Sequence, residues 1–89
     1  MMVNVMLTVC CAKGAVKAIR VVEFSGWVLG MTVIVGRRGE EELRAVVDII
    51  VYDIESGSTS VRLDMAGCEF DDMTCEEAAA ELVAMGWIV

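Results

Sequence analysis

Histidine and proline are absent from this 89-residue chain, and its aromatics are two Trp, two Phe and one Tyr. Without imidazole there is no Ser-His-Asp triad, no Cys-His dyad, no His-based metal site, and no side chain that ordinarily titrates between roughly pH 5 and 8. A hydrolase of the usual kinds is therefore not expected. Long apolar runs are missing too. The longest uncharged stretches, residues 1–12 and 24–36, hold 12 and 13 residues, short of the roughly 18 that a bilayer-spanning helix needs. No membrane span is expected, despite a mean hydropathy of +0.66. Positive charge is lacking ahead of the first apolar run, because Lys13 is the first charged residue. No signal peptide is therefore expected, and the cytoplasm is the default compartment. A chain this short buries only roughly 60% of its unfolded surface and builds one core. Residues 1–89 read as a single small domain, which excludes a multidomain enzyme.

The four cysteines follow no regular framework. Cys10 and Cys11 are adjacent, while six residues separate Cys68 from Cys75, which is neither C-x-x-C nor a disulfide scaffold. Neighbours on a strand point to opposite faces, so Cys10 and Cys11 do not reach one tetrahedral zinc ion without distortion. Free structural thiols are expected. Asp71 and Asp72 lack the D-x-[DN]-x-[DN]-G loop of a calcium site. Cys75, set among Asp71, Asp72, Glu76 and Glu77, is a poor catalytic thiol. Gly26-x-x-x-Gly30 and Gly36-x-x-Gly39 fit neither a Walker loop nor a dinucleotide fingerprint. No metal, cofactor or catalytic residue is expected.

Periodicity places the elements. Val3, Val5, Leu7, Val9 and Cys11 form one apolar set against Asn4 and Thr8, the period of a half-buried strand. Ala12-Lys13-Gly14 supplies a turn, and residues 16–24 are rich in β-branched side chains. Alternation returns over residues 27–35, and Gly36-Arg37-Arg38-Gly39 reads as the next turn. Residues 40–54 fit two templates. Leu43, Val46, Val47, Ile50 and Ile54 form a helical stripe, but the β-branched and aromatic residues from Val46 to Ile54 favour a strand running into a Glu55-Ser56-Gly57-Ser58 turn and alternating Val61, Leu63 and Met65. Thr74-Cys75-Glu76-Glu77 is a capping box that opens a helix. Gly86 falls where a left-handed C′ residue is wanted, with Trp87 placed to pack on Leu82. The fold class is α+β: an antiparallel meander of about five strands packed against one C-terminal helix.

Charge is divided along the chain. Residues 1–39 carry Lys13, Lys17, Arg20, Arg37 and Arg38 against Glu23 alone, whereas the remainder holds the other acids against Arg44 and Arg62, for a net charge of -7. Glu69, Asp71, Asp72, Glu76, Glu77 and Glu81 lie within a stretch that contains no base. Carboxylates there favour the helix dipole and solubility, and they also present a one-signed surface that steers a basic partner. Direct nucleic-acid binding is disfavoured by the same charge, and the cluster Lys13, Lys17, Arg20 lacks interleaved aromatics. A basic cleft that ordinarily holds phosphates is the complementary surface. If Val47, Ile49 and Val51 face the helix, Ile50, Tyr52 and Ile54 line the opposite face and are candidates for burial against a second copy. The alternatives are a helical segment, or N-terminal strands folded over this face.

Residues 64–78, read as D-x-x-G-C-x5-T-x-E-E-A through Asp64, Gly67, Cys68, Thr74, Glu76, Glu77 and Ala78, resemble the strand-to-helix junction of HicB-type antitoxins. With the preceding hairpin the resemblance covers roughly residues 46–85, about half the chain. It implies a sheet-plus-helix fold and neutralisation of a small basic RNA-cleaving toxin by direct contact. With no DNA-binding module expected after Val89, it does not imply autorepression at an operator. From charge, size and the lack of catalytic equipment, the expected function is that of an acidic, non-enzymatic binding protein. It would inhibit a nucleic-acid-acting enzyme by covering its basic surface, as a phage anti-defence protein of the anti-CRISPR kind does. The alternatives are the antitoxin and a self-assembling structural protein.

Overall fold

Alternation along the first ten described residues is realised without interruption. In the computed structural model, which describes residues 2–65 and 69–89, strand β1 (Met2–Cys11) buries Val3, Val5, Leu7, Val9 and Cys11 and turns the intervening residues outward. It returns as β2 (Gly14–Glu23) through a two-residue turn in which Lys13 takes a left-handed φ of 63°. Residues 24–31 then carry the chain to a second antiparallel unit, β3 (Thr32–Arg38), β4 (Glu41–Tyr52) and β5 (Thr59–Met65). The helix α1 (Cys75–Ala84) follows.

The described residues thus hold five strands and one helix, and the α+β class stands. The meander does not. Strand order is β2-β1-β5-β4-β3, and β1 runs parallel to β5, with Val5 beside Val61 and Leu7 beside Leu63. The sheet is therefore mixed. A hairpin and a three-stranded meander, each stitched by short turns, join edge to edge along β1 and β5.

Two boundaries and one register differ from the sequence expectation. The third strand starts at Thr32 rather than near Trp27, because Gly30 at φ 85° breaks the extended run. Trp27 instead stacks edge-on against Phe24, with ring centroids 5.2 Å apart. The turn expected over residues 36–39 is confined to Gly39-Glu40, with Gly39 at φ 63° in the first turn position that hairpins reserve for glycine. In β4 the pairing slips between Val47 and Ile49. This bulge at Asp48 moves Ile50 to the same side as Val47 and puts Ile49 and Val51 outside, the reverse of strict alternation.

The helix lies on the buried face of the sheet. Its Ala78 and Leu82 join Phe70, Trp87 and the inward rows of the strands in one core. Its end is a Schellman closure: Gly86 at φ 97°, with the Gly86 amide donating to the Val83 carbonyl at 3.0 Å and the Trp87 amide to the Leu82 carbonyl at 3.0 Å. The last turn contains no basic residue, and Arg20 on β2 serves instead, its guanidinium donating to the Met85 carbonyl at 3.0 Å. The tail then bridges the two edges of the sheet. Ile88 pairs through its backbone with Ile19 on β2, and the Trp87 indole N–H donates to the Val35 carbonyl on β3 at 2.8 Å.

Candidate functional site

The acidic segment is fixed from three sides. Thr74 is extended at φ -67°, ψ 160°, and its hydroxyl accepts from the Glu77 amide at 3.1 Å, while the Thr74 amide donates to the Glu77 carboxylate at 3.2 Å. This is the capping box read from the sequence. Cys75, the first helical residue, is joined by a disulfide to Cys11 at the end of β1, so the expectation of free thiols is corrected for this pair. Cys11 belongs to the inward row of β1 and the helix start lies directly over it. Cys10, on the outward row, remains free and exposed, while Cys68, like Gly67, lies outside the described residues. The Ala12 amide donates to the Met73 carbonyl at 2.8 Å, tying the β1–β2 turn to the same loop. Gly14 is close as well: a Cβ there would stand 3.1 Å from the Cys75 sulfur.

Beneath the loop, Phe70 is buried with the Arg38 guanidinium 5.0 Å from its ring centroid. Arg38 also reaches Glu81, with Nε 3.6 Å from the carboxylate. The six carboxylates consequently divide. Asp71, Asp72 and Glu76 are exposed, and among the described residues no cation lies within ion-pairing distance of them. Glu77 is exposed but committed to the cap. Glu81 is half-buried and paired. Glu69 is half-buried, with one carboxylate oxygen enclosed and lacking a hydrogen-bond partner among the described residues. Asp71, Asp72, Glu76 and Glu77 therefore share the entry and first turn of the helix, and Glu69 and Glu81 do not extend that exposed surface.

The arginines are mostly spent internally. Arg37 and Arg44 pair with Glu42 at 3.2 and 3.1 Å, Arg62 with Asp48 at 2.5 Å, and Arg20 caps the helix. The Lys13, Lys17, Arg20 cluster is not one surface, since Lys17 and Arg20 belong to opposite rows of β2. No group of three metal-ligating side chains converges among the described residues. Nor is any described helix long and apolar enough to cross a membrane. Of the self-association candidates, Ile50 packs partly against the core, whereas Tyr52 and Ile54 are 57% and 86% exposed near the β4–β5 turn.

No family model, curated protein or solved structure matches this chain. What the helix start offers chemically is a set of anionic acceptors on a rigid mount, suited to guanidinium and ammonium groups. Sequence reasoning missed the disulfide that holds this mount. The available signal was that Cys11 shares the inward parity of Val3 to Val9 while Cys75 opens the helix that must cover that row.

Proposed function

We propose that this chain is an acidic, non-enzymatic binding protein that presents its helix start to a basic protein surface, and that its partner is a nucleic-acid-acting enzyme or complex whose phosphate-binding face it occupies. The observation that carries this reading is the contrast between Asp71, Asp72 and Glu76, exposed and without a counter-ion, and the arginines, most of which are engaged within the molecule. Unpaired surface charge of one sign accelerates encounter with an oppositely charged partner. A phage inhibitor of a defence nuclease has this chemistry. An antitoxin acting on a basic RNA-cleaving toxin has the same chemistry with a different partner, and the capping box at Thr74 is its point of likeness to HicB-type proteins.

The test is capture from nuclease-treated lysate by the wild-type chain and by Asp71→Lys/Asp72→Lys/Glu76→Lys. Glu77 is left intact because reversing it would break the cap. A basic nucleic-acid-acting protein is expected on the wild type, released as salt rises from roughly 50 to 200 mM, and absent from the triple variant. Equal recovery on both would sink the proposed surface.

A further inference from the structure

The helix covers one face of the sheet, and among the described residues no element packs on the other. Along it, cross-strand register sets up rows: Ile19, Met6, Arg62 and Ile49 in one, Val21, Asn4, Ser60 and Val51 in the next. Met2, Met6, Ile19, Val21, Ile49 and Val51 are 38–60% exposed here. Together they leave on the order of 500 Å² of apolar side chain uncovered, towards the top of what a soluble monomer ordinarily shows. The Asp48 bulge is what brings Ile49 and Val51 into this set.

The charge on this face distinguishes it from the rest of the molecule. Its cations are Lys17, Arg37, Arg44 and Arg62 and its carboxylates are Glu23, Glu42, Asp48 and Asp64, so it is neutral, and the net charge of -7 resides elsewhere. Three of the cations are already paired within the face. Lys17 is left, one strand removed from Asp64 across Thr8. A neutral, apolar, self-complementary face has nothing to attract a basic protein or an anionic lipid surface. It does suit a second copy of itself, which can approach while the acidic helix ends point away.

We propose that two copies associate through this face about a two-fold axis parallel to the strands, between β1 and β5. That axis exchanges the ends of each row, laying Ile19 over Ile49 and Val21 over Val51 of the second copy and bringing Lys17 towards its Asp64. An isologous contact doubles the patch to about 1,000 Å² of apolar area, the greater part of a standard interface. Because this face is distinct from the acidic helix start, the dimer stands or falls independently of the inhibitor reading.

Sedimentation equilibrium between roughly 1 and 500 µM tests it. The wild type is expected to sediment as a dimer at the upper concentrations, and Ile19→Lys and Val51→Lys each to lose at least tenfold in association constant with unchanged circular dichroism. Ile54→Lys, off the face, is expected to leave association intact. Lys17→Asp and Asp64→Lys should each weaken the dimer and the double variant restore it, which keeps the test valid if a lysine in the apolar rows perturbs the fold. A wild type that stays monomeric throughout overturns the proposal, as does a dimer lost only with Ile54→Lys. A monomer that floats with zwitterionic lipid vesicles overturns it in favour of a lipid occupant.

Discussion

Asp53 shows how one side chain sets a turn. Its carboxylate accepts from the Glu55 amide at 2.9 Å and the Ser56 amide at 3.4 Å, and its carbonyl accepts from the Gly57 amide at 2.8 Å. The Glu55 amide, followed by the Ser56 hydroxyl and amide, holds the Asp53 carboxyl below its ordinary range. A depressed folded value means the contribution is present above the unfolded pKa of about 3.9 and disappears as pH falls through the folded one. The difference in urea midpoint between wild type and Asp53→Ala is therefore expected to be full above about pH 5 and to shrink as pH falls through the lowered folded value. A difference constant with pH would mean that shape, not charge, is what Asp53 contributes. Glu42 has the same sign for a different cause, Arg44 and then Arg37 beside it.

At the level of elements, the Cys11–Cys75 bond joins residues 64 apart in sequence. In the chain-entropy account, closing a loop of that size stabilises by about 4 kcal/mol, on the order of 20 °C in melting temperature for a domain of this length. Reductant is expected to lower the wild-type melting temperature by that order and to leave Cys11→Ala/Cys75→Ala, already low, unmoved. A wild type indifferent to reductant would return both residues to free thiols. The same element shows what a sequence discloses. Thr74, Glu77, Gly86 and Trp87 act within a few residues of one another, so the helix and both its ends were legible from local chemistry. Strand parity was legible in β1 for the same reason. The partner of Cys11, the parallel neighbour of β1 and the slip at Asp48 depend on which strands lie side by side, and no local pattern records that. In Val46-Val47-Asp48-Ile49-Ile50 the apolar residues flank Asp48 on both sides, so either parity fits until β5 sets the register. The acidic residues were legible as a run, but their division into free, capping and paired carboxylates required Arg38 to be brought across from β3.

For the whole molecule, the consequential contact is the parallel pairing of β1 with β5, which brings Val3 beside Thr59. Each of the two antiparallel units closes through short turns, but neither buries its inward row alone. Val5 and Leu7 are covered only when Val61 and Leu63 lie beside them and Leu82 above. Joining them incurs loop-closure entropy across most of the chain, which places folding in the slower range of small domains. It also predicts one cooperative unit. β1 and β5 each have a strand on both sides, whereas among the described residues β3 has one paired strand, with the Trp87 indole donating to its Val35 carbonyl. In native-state hydrogen exchange, the slowest amides are expected in β1 and β5 and to exchange only through global unfolding, with Thr32–Arg38 opening at lower free energy. Protection that survived in β3, β4 and β5 after β1 and β2 had exchanged would mean that the meander is stable without the hairpin. The inward faces of Leu43, Ala45 and Val47 would then need no cover from β1, which their complete burial beneath a shared core argues against.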